Sequence, residues 1–230
     1  MNVIKTDFVK GAQKAKGIAV IIDVFRAFSV ACYCVDRGAE KMMPVASIEE
    51  ALAFQERDNS LLCIGEREGK KLPGFDFGNS PTEIISANLQ GRAIVQTTHA
   101  GTLGLLNAVH ADEVLTGAFV NAKATVEYIK SRQPKQVTLV RMGWQAETRS
   151  DEDDLCADYM EHLLLDKPFD TKSIYTQLKN SPCASRFFDP AIPWNPISDF
   201  KLCLDIDRFQ FALKLERDEQ GVYFLESPLN

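Results

Sequence analysis

Short apolar runs alternate with segments of helical periodicity over the first two thirds of the chain. Residues 17–24 form a run rich in β-branched side chains, which is typical of a strand buried on both faces of a parallel sheet. Similar runs predict further strands at residues 41–45, 61–64, 92–96 and 136–141. Because strands and helices alternate at this spacing, the pattern predicts an α/β fold with a mainly parallel or mixed sheet and helices on both faces.

The pattern changes at about residue 166. Helical periodicity gives way to a proline-rich segment that contains Pro168, Pro182, Pro190, Pro193 and Pro196. Two apolar runs then flank the polar residues 218–221, as in a β-hairpin. We therefore predict a main α/β domain at residues 1–165 and a smaller C-terminal α/β subdomain at residues 166–230 that packs against it.

A polar, glycine-rich loop at residues 65–81 separates a predicted strand from a predicted helix, and Glu66 and Arg67 follow the strand directly. At the other end, Ser80 precedes a proline and lies three residues before Glu83, which is the pattern of a capping box. Long ordered loops inside compact domains are uncommon unless they are functional. We interpret this one as part of an anion-binding site, and a surface loop with solvated charges is the alternative.

Ligands of parallel α/β sheets bind outside the carboxyl ends of the strands. In this chain that rule predicts one sheet edge at which the following groups meet: Asp23, Arg26, Glu66, Arg67, Thr97, Thr98, Asn121, Arg141 and the acidic residues 151–154. Asp23 is the strongest candidate, since an ionised carboxylate at the end of an apolar strand costs several kcal/mol unless it is paired or bound to a metal. For the acidic cluster, a favourable interaction with a helix dipole is the alternative.

Composition narrows the choice of partner. The 230 residues are 45% apolar and 25% charged, as in an ordinary globular protein, and the net charge of −6 disfavours nucleic acid or an anionic membrane as a partner. No apolar run approaches the length of a membrane span, and the first residues lack the pattern of an export signal, so we expect a cytoplasmic protein. The oligomeric state is open, and a homo-oligomer is one of the alternatives.

Residue spacing excludes several familiar phosphate and metal sites. The six cysteines are scattered without a Cys-x-x-Cys pair, and no Gly-x-Gly-x-x-Gly motif is present. The segment from Gly65 to Lys70 lacks the spacing and the Ser or Thr of a Walker A loop. Carboxylates, arginines, amides and hydroxyls at strand ends remain. This set favours Mg²⁺, which prefers oxygen ligands and is commonly held by one or two carboxylates together with phosphate oxygens.

Several stretches of the chain carry a resemblance to a known family. They are residues 20–26 (VIIDVFR), 38–46, the loop at 65–81 with its GFDFGNSP core, 97–102, 119–121 and 152–157. On these residues the chain resembles the 2-phosphosulfolactate phosphatase, or ComB, family. The resemblance covers roughly residues 17–165. It implies a ComB-like fold of two α/β subdomains and a Mg²⁺-dependent phosphatase that converts 2-phosphosulfolactate to sulfolactate and phosphate, a reaction linked to coenzyme M synthesis.

The resemblance and the residue types together suggest roles for the candidate residues. The predicted metal ligands are Asp23, Glu66, Glu152 and Asp153. The predicted catalytic residues are Asp23, Arg26, Glu66, Arg67 and Asp76. The predicted substrate-binding residues are Asn79, Ser80, Thr97, Thr98, Thr102, Asn121 and Arg141. The arginines would neutralise charge on the phosphoryl oxygens, and Asp76 is the alternative base or nucleophile, so that direct attack by water and a phospho-aspartyl intermediate both stay open.

The chain departs from the family pattern at residues 98–102, 142–144 and 158. In the second of these, Trp144 stands where the family has threonine. Two alternatives therefore stay open: a phosphatase for another small phosphorylated 2-hydroxy acid, and a non-catalytic anion-binding protein on the same fold. In each case the expected partner is a small, anionic, phosphorylated compound. Ligand-dependent stabilisation without phosphate release would identify the non-catalytic alternative.

Overall fold

The computed structural model describes residues 1–228. Its strands are β1 (Asn2–Asp7), β2 (Ile18–Ile22), β3 (Lys41–Pro44), β4 (Leu62–Arg67), β5 (Lys70–Lys71), β6 (Ala93–Thr97), β7 (Glu113–Gly117), β8 (Gln136–Arg141), β9 (Lys214–Arg217) and β10 (Tyr223–Glu226). Its α-helices are α1 (Phe8–Ala12), α2 (Ala27–Asp36), α3 (Ile48–Arg57), α4 (Pro81–Ile84), α5 (Gly101–Asn107), α6 (Ala122–Arg132), α7 (Asp151–Leu164), α8 (Ile174–Lys179) and α9 (Ile197–Cys203). The predicted α/β class is confirmed. Within residues 1–228, no helix combines the length and the apolar character that crossing a bilayer requires.

Local sequence signals set several helix starts. The hydroxyl of Ser80 accepts a hydrogen bond from the backbone N–H of Glu83 (3.4 Å), as the capping box predicts, and the hydroxyl of Ser47 accepts one from the backbone N–H of Glu50 (3.1 Å) at the start of α3. Ser150 occupies the N-cap position of α7, but its hydroxyl makes no capping hydrogen bond. The acidic side chains in the first turn of α7 complement the helix dipole instead.

One mixed sheet runs through the described part of the molecule. Its strand order is β1-β8-β2-β7-β9-β10-β3-β6-β4-β5. Strands β1, β8, β2 and β7 pair in parallel, and so do β3, β6 and β4. The β9–β10 hairpin joins these two groups through antiparallel pairs with β7 and β3. The two parallel groups therefore run in opposite directions.

The position of this hairpin changes two predictions. Residues 214–226 lie in the middle of the sheet and not in a separate subdomain at residues 166–230, because the hairpin pairs with β7 and β3, which would otherwise be open edges. The strand ends also do not form one continuous edge, since the two groups run in opposite directions. Twist accumulates from strand to strand in a sheet of this size. The ends of β2, β4 and β6 meet at one cavity in spite of their different groups.

Helix α2 is a buried element in the apolar cluster that includes residues of both strand groups. Residues 27–34 of this helix are all buried. Phe28 belongs to the same apolar cluster as Ile21 of β2 and Ile94 of β6. A helix that is apolar on all sides is expected at such a position. Helix α2 therefore fixes the preceding loop, residues 23–26, between the two groups of strands.

The proline-rich segment packs over the carboxyl end of β2. The rings of Phe187 and Phe200 contact the ring of Phe25, with centroids 5.0 and 5.7 Å away. All three phenylalanines belong to the apolar cluster that β2, β7, β8, α6 and α7 share. This packing brings two charged residues of the segment, Arg186 and Asp199, to the same end of β2.

Candidate active site

A small cavity lies where the ends of β2, β4 and β6 meet the proline-rich segment. Its volume is about 40 Å³, and its wall includes Asp23, Arg26, Glu66, Asn79, His99, Trp144 and Arg186. Strand β6 and the start of α2 are in direct contact here, because the side chain of Gln96 donates a hydrogen bond to the carbonyl of Ala27 (3.1 Å). A Cβ atom on Gly101 would lie 2.8 Å from a carboxylate oxygen of Asp23. Glycine at this position thus allows α5 to approach the loop before α2.

Asp23 directly follows β2 and is 8% exposed. Its Oδ1 accepts a hydrogen bond from the backbone N–H of Ala27 (3.1 Å). Burial raises the pKa of Asp23 to about 7, and the negative charges of Glu66 and Glu152 add to this shift. A carboxyl group with such a pKa exchanges its proton near neutral pH and is stabilised in its charged form by a nearby cation.

Glu66 lies near the end of β4 and is also 8% exposed. Its Oε2 accepts a hydrogen bond from the backbone N–H of Gly69 (2.7 Å), and its Oε1 accepts one from the backbone N–H of His99 (3.0 Å). These bonds tie the carboxylate to the loop at residues 65–81 and to the loop after β6. They fix its orientation and leave its oxygens further lone pairs for a cation.

Arg26 is buried, and its charge is already paired. Its Nη1 lies 2.5 Å from Oδ2 of Asp199 and also donates to the carbonyl of Trp194 (3.1 Å), while Nη2 donates to the carbonyl of Gly69 (3.1 Å). The sequence predicts a guanidinium that neutralises phosphoryl charge. In the structure this guanidinium also holds three segments of the chain together, and only part of its five-donor fork stays available to a ligand.

Arg186 is the cavity residue that sequence reasoning missed. It lies in the proline-rich segment, where no periodicity or motif marks it. Its Nη2 donates to the carbonyl of Phe25 (2.9 Å), and its guanidinium lies 4.5 Å from the ring centroid of Trp144. Burial lowers the pKa of Arg186 from its usual value, although a guanidinium stays charged at neutral pH. In the part of the chain that the structure describes, no carboxylate forms a salt bridge with it.

Two adjacent acidic residues at the start of α7 lie in different environments. Asp153 accepts hydrogen bonds from the backbone N–H groups of Val24 (2.9 Å) and Gly143 (2.7 Å), so both of its oxygens hold loops in place. Glu152 lines a second cavity next to the small one, and its buried Oε2 has no hydrogen-bond partner within residues 1–228. Burial raises the pKa of both carboxyl groups.

The structure does not gather the predicted metal ligands into one cluster. Within residues 1–228, no group of three or more His, Cys, Asp or Glu side chains is arranged to hold a metal ion. Asp23 and Glu66 nevertheless share the small cavity, and the buried Oδ1 of Asn79 in the same wall has no hydrogen-bond partner among the described residues. Two carboxylates and an amide oxygen fit Mg²⁺, which completes its coordination with substrate oxygens and water. The predicted ligands Glu152 and Asp153 lie outside this set.

The cavity wall does not include four of the predicted site residues: Arg67, Thr97, Thr98 and Thr102. Arg67 donates hydrogen bonds to the carbonyl of Glu66 (2.7 Å) and to Oγ1 of Thr97 (3.2 Å). The hydroxyls of Thr98 and Thr102 accept from each other's backbone N–H groups (3.2 and 3.1 Å). These side chains shape the loop after β6, whereas the sequence predicts that they contact substrate or phosphate.

Asn79 and Ser80 are adjacent but differ in their surroundings. Asn79 lines the small cavity, as expected of a ligand-binding residue. The hydroxyl of Ser80 instead donates to Oδ1 of Asp199 (2.8 Å), which also accepts from the backbone N–H of Thr82 (2.9 Å). Ser80 therefore anchors the start of α4 to the Arg26–Asp199 pair.

Three predicted site residues lie away from the cavity. Asp76 is exposed and accepts a hydrogen bond from the backbone N–H of Cys63 (2.8 Å), because the loop folds back along β4. Arg141 forms a salt bridge with Asp7 (2.8 Å). Asn121 is fully buried at the start of α6. These positions remove Asp76 as a base or nucleophile in this cavity, and Arg141 and Asn121 as contacts of a ligand there.

Similarity to known proteins extends over nearly the whole chain. The model of a family described as 2-phosphosulpholactate phosphatase matches residues 4–217. A protein of Clostridium perfringens (strain SM101 / Type A), named "probable 2-phosphosulfolactate phosphatase", is 35% identical over 162 residues, which are 69% of this chain and 65% of that protein, slightly less than two thirds of its length. A protein of the same name from Bacillus subtilis (strain 168) is 28% identical over 202 residues, with 87% of this chain and 88% of that protein covered. Another, from Caldanaerobacter subterraneus subsp. tengcongensis, is 31% identical over 211 residues, with 86% and 87% covered.

Proposed function

The chain belongs to the 2-phosphosulpholactate phosphatase family, and from this membership together with the small cavity we propose that it hydrolyses 2-phosphosulfolactate to sulfolactate and inorganic phosphate. In this reaction a water molecule supplies the new oxygen on phosphorus. The bond between phosphorus and the ester oxygen breaks, and the alcohol leaves with a proton. Relatives from Clostridium perfringens and Bacillus subtilis carry this activity in their names.

The observation that supports this function best is a pair of buried carboxylates in one cavity. Asp23 and Glu66 are each 8% exposed, and neither forms a salt bridge with another described residue. A carboxylate buried for structural reasons alone is expected to have its own cationic partner. Two unpaired carboxylates in one place are instead typical of a site that binds a cation or performs chemistry.

Asp23 and Glu66 would hold Mg²⁺, and the Oδ1 atom of Asn79 is available as a further oxygen ligand. When bound, the ion would neutralise phosphoryl charge and lower the pKa of a coordinated water. The two backbone N–H groups that hold Glu66 keep its carboxylate directed at this position before substrate arrives.

Two further side chains of the cavity wall, Arg26 and His99, would act on the substrate. Arg26 keeps N–H groups free for a phosphoryl oxygen, and its pairing with Asp199 prevents the guanidinium from moving away. His99 lines the cavity, and its buried Nδ1 has no hydrogen-bond partner in the described part of the chain. It can supply the proton that the leaving alcohol takes.

The experiment that tests this function is phosphate release from 2-phosphosulfolactate by the purified protein with Mg²⁺. We expect turnover that EDTA abolishes and added Mg²⁺ restores. Asp23→Asn should lower kcat by about a thousandfold or more, because it removes the carboxylate that holds the metal ion. The melting temperature of this variant should stay at or above the wild-type value at neutral pH, so loss of activity will not reflect unfolding.

Two outcomes would contradict the proposal. If Asp23→Asn released phosphate at the wild-type rate, Asp23 would have no part in the reaction. If the wild-type protein were stabilised by 2-phosphosulfolactate but released no phosphate from it, the chain would be an anion-binding protein on the family's fold.

A further inference from the structure

A second, larger cavity adjoins the small one. Its volume is about 500 Å³, and Trp144 and Arg186 lie in the walls of both cavities. Trp194 and Ile192 add apolar surface to the larger one. Its size is within the range of pockets that bind small molecules, roughly 300–1,000 Å³. The two cavities are therefore adjacent and share part of their walls, and the smaller one is lined by more charged side chains.

Unpartnered polar atoms surround the larger cavity. Those without a hydrogen-bond partner among the described residues are Ser150 Oγ, Glu152 Oε2, Arg186 Nε and Asn195 Oδ1. Buried polar atoms in folded proteins are nearly always hydrogen-bonded. Arg186 is the clearest case, because its guanidinium carries a charge and forms no salt bridge with another described residue. Several such atoms around one cavity indicate a surface that is complete only with a polar ligand.

Arg186 is the unpaired charge at the boundary between the cavities. Arg26 is neutralised by Asp199 at 2.5 Å. Arg149, which also lines the larger cavity, donates to both carboxylate oxygens of Asp154 (3.2 and 2.7 Å). Arg186, in contrast, has no salt bridge to any residue within 1–228, and its Nε is free. A guanidinium fixed against an aromatic ring, with unused N–H groups, is well suited to bind an oxyanion.

We propose that the larger cavity binds the alcohol part of the phosphoester, and that Arg186 binds an anionic group of this alcohol next to the ester oxygen. The proposal rests on the phosphatase function and names the residue that recognises the second anionic group of the substrate. The hydroxyl of Ser150 is a second donor for that group, and Trp144 and Trp194 leave room for a longer alcohol.

The geometry favours this group over the phosphoryl group as the partner of Arg186. The phosphoryl group has its place beside Asp23 and Glu66, in the cavity of about 40 Å³. The unpartnered donors, Ser150 Oγ and Arg186 Nε, both belong to the wall of the larger cavity. Glu152 lies in the same wall, and burial raises the pKa of its carboxyl.

Three phosphoesters with the same carbon skeleton test this proposal. Isopropyl phosphate has no second anion, 2-phospholactate has a carboxylate next to the ester carbon, and 1-sulfopropan-2-yl phosphate has a sulfonate one carbon further. We expect the wild-type protein with Mg²⁺ to show a higher kcat/KM for one or both anionic esters than for isopropyl phosphate. The anionic ester with the higher kcat/KM shows whether Arg186 binds a carboxylate or a sulfonate. Arg186→Gln should lower this preference by about 10- to 100-fold, the value of a hydrogen bond to a charged group.

A matched control and a conservative variant separate recognition from folding. Arg208→Gln removes an arginine that lies outside both cavities and is paired with Asp205, so the preference should stay within about twofold of wild type. Arg186→Lys keeps the charge but loses the planar fork, and it should give an intermediate preference. If a melting curve shows that Arg186→Gln does not fold, the kcat/KM preference of Arg186→Lys for the anionic esters over isopropyl phosphate decides the test.

Other outcomes would overturn the proposal in distinguishable ways. If Arg186→Gln lowered kcat/KM equally for all three esters, Arg186 would contact the phosphoryl group or act only through the fold. If the wild-type protein hydrolysed isopropyl phosphate as efficiently as both anionic esters, the second anion would not be recognised. If it hydrolysed none of the esters and also failed with 2-phosphosulfolactate, the phosphatase function itself would be wrong.

Discussion

The carboxyl group of Asp23 is held at the end of a fully buried strand, and burial is the main reason for its pKa of about 7. Relative to the usual value of 3.8, the folded chain without a metal ion binds this proton more tightly than the unfolded chain. The contribution of Asp23 to stability is therefore fully present below about pH 4 and is lost as pH rises through about 7. A bound cation reverses this, because it favours the charged carboxylate.

This titration predicts a pH-dependent difference between wild type and Asp23→Asn. In EDTA, the free energy of unfolding of the variant minus that of wild type should increase from pH 5 to pH 8, by a few kcal/mol at most, since asparagine does not titrate. Urea unfolding at a series of pH values measures it. With Mg²⁺ at pH 8 the difference should shrink, because wild type then gains the binding energy of the ion. A difference that is independent of pH would show that Asp23 has an ordinary pKa.

The predicted catalytic role of Asp76 can also be tested by a single substitution. Its carboxylate is exposed and supports the backbone of Cys63 outside the small cavity. Asp76→Asn keeps an oxygen that can accept this hydrogen bond, so we expect kcat within about twofold of wild type. Phosphate release from 2-phosphosulfolactate measures it. A loss of a hundredfold or more at an unchanged melting temperature would restore Asp76 as a base or nucleophile.

Sequence reasoning identified some site residues and not others for a physical reason. Asp23 and Glu66 each follow a short apolar run, so a local pattern places them at strand ends. Arg186 and Asp199 lie in a segment without periodicity, and they reach the site through contacts with Phe25 and Arg26, which are 161 and 173 positions away in the chain. Such pairings depend on tertiary packing, which a local pattern does not encode.

At the scale of secondary-structure elements, the Arg26–Asp199 pair connects parts of the chain that are distant in sequence. Asp199 belongs to α9, Arg26 precedes α2, and Ser80 at the start of α4 donates to the same carboxylate. Arg26 is 3% exposed and Asp199 is fully buried. Breaking such a pair leaves an uncompensated buried charge, which is costly.

Asp199→Ala should therefore destabilise the protein by about 3–5 kcal/mol. Denaturant unfolding in EDTA isolates this effect from metal binding. The matched control is Asp205→Ala, which removes the partner of Arg208 in an exposed pair and should cost less than about 1 kcal/mol. Equal costs for the two variants would show that the Arg26–Asp199 pair does not hold these helices together.

The β9–β10 hairpin shows what a pattern can and cannot predict about an element. Two apolar runs around a polar turn predict the hairpin, and the structure pairs Tyr223–Glu226 with Lys214–Arg217. Its position does not follow from the sequence. The hairpin meets β7 and β3 through one registered residue pair each, Leu115 with Lys214 and Met42 with Leu225. Strand pairings of a single registered residue pair, between segments that are far apart in the chain, leave no periodic pattern in the sequence.

For the whole molecule, the class of fold was predictable and the arrangement of the sheet was not. Each parallel group follows from alternating strands and helices. The opposite directions of the two groups follow from the antiparallel pairs that the inserted hairpin makes with β7 and β3. The predicted domain boundary at about residue 165 leaves the proline-rich segment outside the main domain. In the structure, aromatic residues of this segment belong to the same apolar cluster as the residues of β2.

The central claim is that Asp23 and Glu66, brought from different strand groups, jointly hold a divalent cation beside a phosphoryl group. Electron paramagnetic resonance with Mn²⁺ in place of Mg²⁺ tests it most directly, because the signal counts bound ions and senses a phosphorus atom on the same ion. We expect one Mn²⁺ per wild-type chain, coupling to phosphorus when inorganic phosphate is added, and an affinity at least about tenfold lower in both Asp23→Asn and Glu66→Gln. Wild-type protein that binds no Mn²⁺, or variants that bind it as tightly as wild type, would contradict the claim.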